Sequence, residues 1–190
     1  MANSSLLQSR AFLAVFFLAL FISPISAKSK PQIRLDNWMS HQDVNNVRVI
    51  YKDIQTGIHT KRYNITTKRF DTESPSCATY PIKTEALVRD SRNRVRKLSI
   101  EQIGSHREPF TIDRYYDSNG VLRFVYVDRL TSSVRIYLDS KGKVFWAVEK
   151  NDNETREYSS NNDDWETKPI SASGAVKFFQ DKQLCPEIDR

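Results

Sequence analysis

A chain of 190 residues in which 39% of the side chains are hydrophobic and 27% charged has enough apolar material for one core, which sets aside a disordered polymer. Its five glycines complete no GxGxxG or GxxxxGK[ST] loop, so a dedicated phosphate cradle is not expected. The formal charge of +6 biases encounters toward anionic partners but is too modest to demand nucleic acid, which is not an expected partner.

Residues 1–27 have the three-part layout of a secretory leader. Met1–Arg10 is polar with one positive charge, Ala11–Ile22 (AFLAVFFLALFI) is apolar throughout, and Ser23–Ala27 (SPISA) supplies a helix breaker and a small residue. Twelve apolar residues rise about 18 Å as a helix, short of a hydrocarbon core of about 30 Å. Cleavage after about Ala27 is therefore expected, with residues 28–190 forming one domain that is secreted or periplasmic and has no membrane span.

Asp43–Ile54 (DVNNVRVIYKDI) sets Val44, Val47, Ile50, Tyr51 and Ile54 at helical spacing, with Asp43 as N-cap and Gly57 just beyond the end. Its β-branched residues also suit a strand over 47–51, and that alternative stays open. Three related tetrapeptides follow: DSRN at 90–93, DSNG at 117–120 and DSKG at 139–142. Asp at the first turn position, then polar residues, then Gly or Asn predicts a type I turn closed by a left-handed residue, the connection of a bulged hairpin. The flanking segments 86–89, 94–100, 112–116, 121–127, 134–138 and 144–148 are rich in β-branched and aromatic residues. In one of them Leu122, Phe124 and Tyr126 alternate with Val121, Arg123, Val125 and Val127, and large residues on both faces predict a strand covered on both sides. A continuous antiparallel meander follows. The polar stretch 150–168 (KNDNETREYSSNNDDWETK) reads mostly as an exposed loop, and Ser171–Leu184 as a serine-capped helix. The expected fold is α+β: a β-meander of hairpins covered by an N-terminal helix and a short C-terminal helix.

The two cysteines, Cys77 and Cys185, most simply form one disulfide in an oxidising compartment. It would close a loop of more than a hundred residues, for which chain entropy gives roughly 4–5 kcal/mol.

Candidate chemistry is sparse. His41, His59 and His106 are scattered, without HExxH or CxxC spacing, so neither a metal nor another cofactor is expected. Acidic residues cluster in 152–166 but lack the two-sided placement glycosidase chemistry needs and the regular spacing of an EF-hand. The sharpest charged feature is RDSRNRVRK at 89–97, where Arg92, Arg94 and Arg96 would share one face of an extended strand. Such a row could grip carboxylate or phosphate groups bidentately, or could simply keep a strand face charged. Asn64-Ile-Thr and Asn153-Glu-Thr are sequons, acceptors for glycans in a eukaryotic source.

RYYDSNGVLRFVY and RIYLDSKGKVFW resemble the Y-x-D-x-x-G-x-L-x-F β-hairpins of uncharacterised secreted bacterial proteins and, more distantly, repeats of the MORN or YD type. The resemblance covers about 112–148. It implies structural hairpins and transfers no catalytic residue. The expected function is a secreted or periplasmic binding protein or inhibitor-like module without catalysis, its partner an extracellular or envelope protein. The alternatives are a basic module for anionic polymers through Arg92, Arg94 and Arg96, and a small envelope hydrolase.

Overall fold

The computed structural model describes residues 32–71, 82–103, 109–158 and 170–180. The leader, Cys77, Cys185, His106 and Trp165 lie outside the described residues, and with them the expected disulfide. The element order is α1 (Gln42–His59), β1 (Asn64–Asp71), β2 (Ile82–Arg89), β3 (Val95–Ile103), β4 (Phe110–Tyr116), β5 (Leu122–Arg129), β6 (Ser132–Leu138), β7 (Val144–Asn151), β8 (Thr155–Glu157) and α2 (Ala172–Gln180). The eight strands form one sheet in the order β1-β2-β3-β4-β5-β6-β7-β8, each antiparallel to the next. The α+β meander with two helices is therefore the observed fold.

α1 is longer than the sequence suggests at both ends. The N-cap is His41 rather than Asp43: its Nδ1 accepts a hydrogen bond from the Asp43 amide at 3.2 Å. Gly57 lies inside the helix, where a Cβ would stand 2.6 Å from the Tyr63 ring, so glycine here admits a close aromatic neighbour. Termination falls to Lys61, held at φ 57°. The Arg62 amide bonds the Gly57 carbonyl at 2.9 Å and the Lys61 amide bonds that of Ile58 at 3.1 Å, the paired bonds of a Schellman close.

The three Asp turns repeat one geometry. The amides of Asn93, Gly120 and Gly142 bond the carbonyls of Asp90, Asp117 and Asp139 at 2.9, 3.1 and 3.0 Å, and all three residues have positive φ. Each Asp Oδ1 then accepts from the amides two and four residues on, at 2.8–3.0 Å. The pairing register shifts at Val88/Arg89, Tyr115/Tyr116 and Tyr137/Leu138, the bulge such turns bring. That shift corrects one simple alternation: Leu122 joins the face of Val125 and Val127, opposite Phe124.

One face of the sheet carries Tyr115, Phe124, Tyr137 and Val148 against Trp38 and the buried Val44, Val47 and Ile54 of α1. The other carries Leu98, Ile100, Ile112, Val125, Val127, Val134 and Ile136, with Ala175 and Phe179 of α2 packed on it. β5 is buried on both faces, through Leu122, Val125 and Val127 on one and Phe124 on the other, as its composition predicts. Each such side chain withdrawn from water is worth about 1.5–3 kcal/mol. α2 starts at a serine cap, the Gly174 amide bonding Ser171 Oγ at 3.1 Å, and at its end Lys68 Nζ donates to the Phe179 carbonyl. Two strands depart from the sequence reading. β1 falls in a polar stretch (NITTKRFD), and β8 lies within what reads as loop. There Asn151 Oδ1 takes the amides of Asn153 and Glu154, and Tyr158 returns to pack on the α2 side of the core.

Candidate functional site

The arginines of RDSRNRVRK do not form one row. Arg92 is exposed in the turn before β3 begins. Arg94 folds back on its own turn: Nε and Nη2 both lie 2.8 Å from Asp90 Oδ2, and Nη1 donates to the Ser118 carbonyl of the neighbouring turn at 3.0 Å. Arg96, with its side chain 8% exposed, is wedged between sheet and helix. It donates to the Tyr116 carbonyl, to Tyr63 Oη and to Asp53 Oδ2 of α1, with Asp90 Oδ2 at 3.6 Å. The bulge breaks the i, i+2, i+4 geometry, and Asp90, four residues upstream of Arg94, is the signal that these cations brace the fold. Burial opposes ionisation of Asp90, but hydrogen bonds from the Arg94 guanidinium and from the Arg94 and Arg92 amides outweigh it, so its pKa falls below the usual carboxylate value.

A second polar group, between β3 and β4, centres on Asp113. Its carboxylate takes Ser99 Oγ at 2.6 Å, Tyr115 Oη at 3.0 Å and Lys97 Nζ at 2.8 Å, and Gln55 Nε2 of α1 donates to Tyr115 Oη at 3.0 Å. The constellation holds a serine, a lysine and an aspartate but is wired for structure. The Lys97 ammonium neutralises the carboxylate, and Ser99 spends its proton on it without a histidine between them. Burial and the Asp113 charge push the Tyr115 phenol far up.

Beside that network, a cleft of about 290 Å³ opens between α1 and the β5–β6 hairpin. Val47, Arg48 and Tyr51 form its helical wall, Phe124 and Tyr126 come from β5, and Arg135 and Tyr137 from β6. The register explains the grouping: Phe124 pairs with Tyr137 and Tyr126 with Arg135, so two cross-strand pairs stand side by side on the α1 face. Phe124 and Tyr137 lie 5.0 Å apart between centroids, and the edge of Tyr51 meets Phe124 at 5.8 Å and Tyr115 at 5.1 Å. Arg135 lies 5.3 Å from the Tyr126 centroid and bonds Ser133 Oγ at 3.2 Å. Arg48 lies 5.7 Å from the Trp38 ring and bonds the Met39 carbonyl at 2.8 Å. Among the described residues neither guanidinium is ion-paired to a carboxylate, unlike Arg94, Arg96 and Arg123. Tyr137 is 3% exposed. Burial raises its pKa, while the charges of Arg48 and Arg135 both pull the other way, placing its hydroxyl in the field of the two cations. Tyr126 Oη bonds Asp128 Oδ1 at the rim, at 3.3 Å.

This cleft escapes a reading of the sequence because its residues come from three elements and none forms a local motif. The one available signal is Arg135, a charge placed between Val134 and Ile136 in a strand otherwise built for burial. Among the described residues no three His, Cys, Asp or Glu side chains gather as a metal site, and no helix is long and apolar enough to cross a membrane. Asn64 and Asn153 of the two sequons are both exposed. No family model matches the chain, and no curated protein or solved structure matches it either.

Proposed function

We propose that the chain is a secreted or periplasmic binding protein, without catalysis of its own, and that the cleft between α1 and the β5–β6 hairpin is its ligand site. The observation that carries this reading is the pair Arg48 and Arg135. Two partly buried cations sit in an aromatic cleft without a carboxylate partner among the described residues, whereas Arg94, Arg96 and Arg123 each have one. Charge withdrawn from water without a partner costs stability, so its retention is understandable where an anion completes the site. The lining also argues for binding over turnover. It contributes guanidiniums, which keep their protons, and phenols, with burial raising Tyr137 further. The turn arginines fit the role less well, because Arg94 and Arg96 are already committed to Asp90 and Asp53.

A thermal-shift screen of cationic, neutral and anionic fragments, run on the wild type and on an Arg48→Gln/Arg135→Gln variant, tests the reading. Anionic fragments are expected to stabilise the wild type and to lose that effect in the variant. Equal shifts in both proteins, or no shift from any fragment class, would overturn it.

A further inference from the structure

We infer that the cleft takes a ring-bearing monocarboxylate: the carboxylate held between Arg48 and Arg135 beside the Tyr137 hydroxyl, the ring lying against Tyr51. The inference rests on the binding function proposed above and narrows it to a ligand class. Three observations lead there.

Size comes first. About 290 Å³ is at the lower limit of small-molecule pockets, room for one ring with its substituents and not for a branched or polymeric body. An oligomer could enter only by one residue.

Charge comes next. Among the described residues the lining holds two cations and no acid, but Asp128 stands at the rim, bonded to Tyr126, whose ring lies 5.3 Å from the Arg135 guanidinium. The exposed rim carboxylate pairs with neither guanidinium but repels a phosphate dianion more strongly than a monoanion, so the local field suits the monoanion.

Geometry supplies the rest. Both guanidiniums are anchored, Arg48 to the Met39 carbonyl and the Tyr137 hydroxyl and Arg135 to Ser133, which fixes both forks without exhausting their five donors each. Tyr137 lies under the influence of both cations and can add a hydroxyl donor. Of the lining aromatics, Phe124 and Tyr137 are 7% and 3% exposed and form the floor, whereas Tyr51 at 37% offers a surface for the ring.

Isothermal titration with four probes decides the matter: glucuronate and benzoate as ring carboxylates, methyl glucoside as the uncharged sugar, and phenyl phosphate as the dianion. Binding of glucuronate or benzoate is expected, with methyl glucoside inert and phenyl phosphate weaker. Whichever carboxylate binds tighter tells a sugar acid from an aryl acid. Arg48→Gln and Arg135→Gln should each lower the affinity about tenfold, a loss of about 1.4 kcal/mol. Asp128→Asn should instead favour phenyl phosphate relative to the carboxylates, a change of preference that a purely structural residue would not produce. Tighter binding of phenyl phosphate than of either carboxylate, lost in the arginine variants, would overturn the carboxylate assignment and leave the binding function standing. Equal binding of methyl glucoside would also overturn it. Failure of all four probes to bind would overturn it as well, with the fragment screen then deciding separately whether the cleft binds anything.

Discussion

Asp90 does three jobs with one carboxylate: it caps its own turn, holds Arg94 and faces the buried Arg96. Asp139 makes the same turn but is only half-buried, where Asp90 is buried. Its pKa is lowered chiefly by the Lys143 and Lys141 amides. Asp90→Ala should therefore cost about 1.5–3 kcal/mol, the range for losing hydrogen bonds to a buried charged group, while Arg96 keeps Asp53, and Asp139→Ala should cost clearly less. Urea unfolding of the two variants measures the gap, and equal costs would mean that Asp90 acts only as a turn residue. The folded-state pKa of Asp90 is depressed, so its contribution is present above the unfolded value of about 3.9 and is lost as pH falls through the folded value. Wild type and Asp90→Asn should then converge in stability at acid pH. Positive φ makes a second contrast. Gly142→Ala must hold a Cβ at φ 78° and should lose about 1–2 kcal/mol, whereas Asn93→Gly relieves φ 61° and should be neutral or slightly stabilising. On the α2 face, Gln102 is 1% exposed and its amide atoms have no hydrogen-bond partner in the structure. Gln102→Met should raise stability by about 1–3 kcal/mol, because it removes desolvated polar atoms at similar volume. A lower unfolding midpoint would show that the amide is satisfied in solution.

At the scale of elements, what the sequence made legible was local chemistry. The Asp turns could be read because the residue that accepts the turn amides and the residue that takes positive φ are three apart. α1 could be read from Val44, Val47 and Ile54, but its ends could not, since His is an uncommon cap and Lys61 carries a left-handed φ ordinarily left to glycine. Lys61→Gly should accordingly stabilise the helix end by roughly 0.5–1 kcal/mol, measurable as a rise in the unfolding midpoint. β1 and β8 were hidden for a different reason. They are the two edges of the sheet, and edge strands kept polar against self-association lose the apolar alternation by which a strand is recognised. The arginine stripe misled for a related reason: spacing alone says nothing about where a bulge falls. Arg123 repeats the bracing of Arg94, bonding Asp117 within its own hairpin and the Leu138 carbonyl next door, at 3.3 and 3.1 Å. Neighbouring hairpins are thus tied by guanidinium as well as by the backbone ladder.

For the whole molecule, cover is uneven along the sheet. α1 packs on β4, β5 and β6, and α2 on β2 and β3. Backbone amides of β4–β6 should exchange with solvent most slowly and those of β8 fastest, a gradient that hydrogen-exchange mass spectrometry resolves; uniform protection would mean that the sheet opens only as a unit. The cleft adjoins this well-covered centre: Arg135 and Tyr137 stand on β6 and Arg48 and Tyr51 on the helix packed over it, so little ordering should be needed on binding.

The sheet never crosses over itself: every strand lies beside the one that precedes it in the chain. Such a layout is open to growth by duplication. A copied hairpin with its Asp turn could be spliced in beside its parent without rethreading a connection, because each unit asks only for a neighbour on either side. The three turns, alike in backbone and unequal in spacing, are what a lineage of such copies would leave behind. The cleft, tied to one hairpin and one helix, would survive additions at either margin.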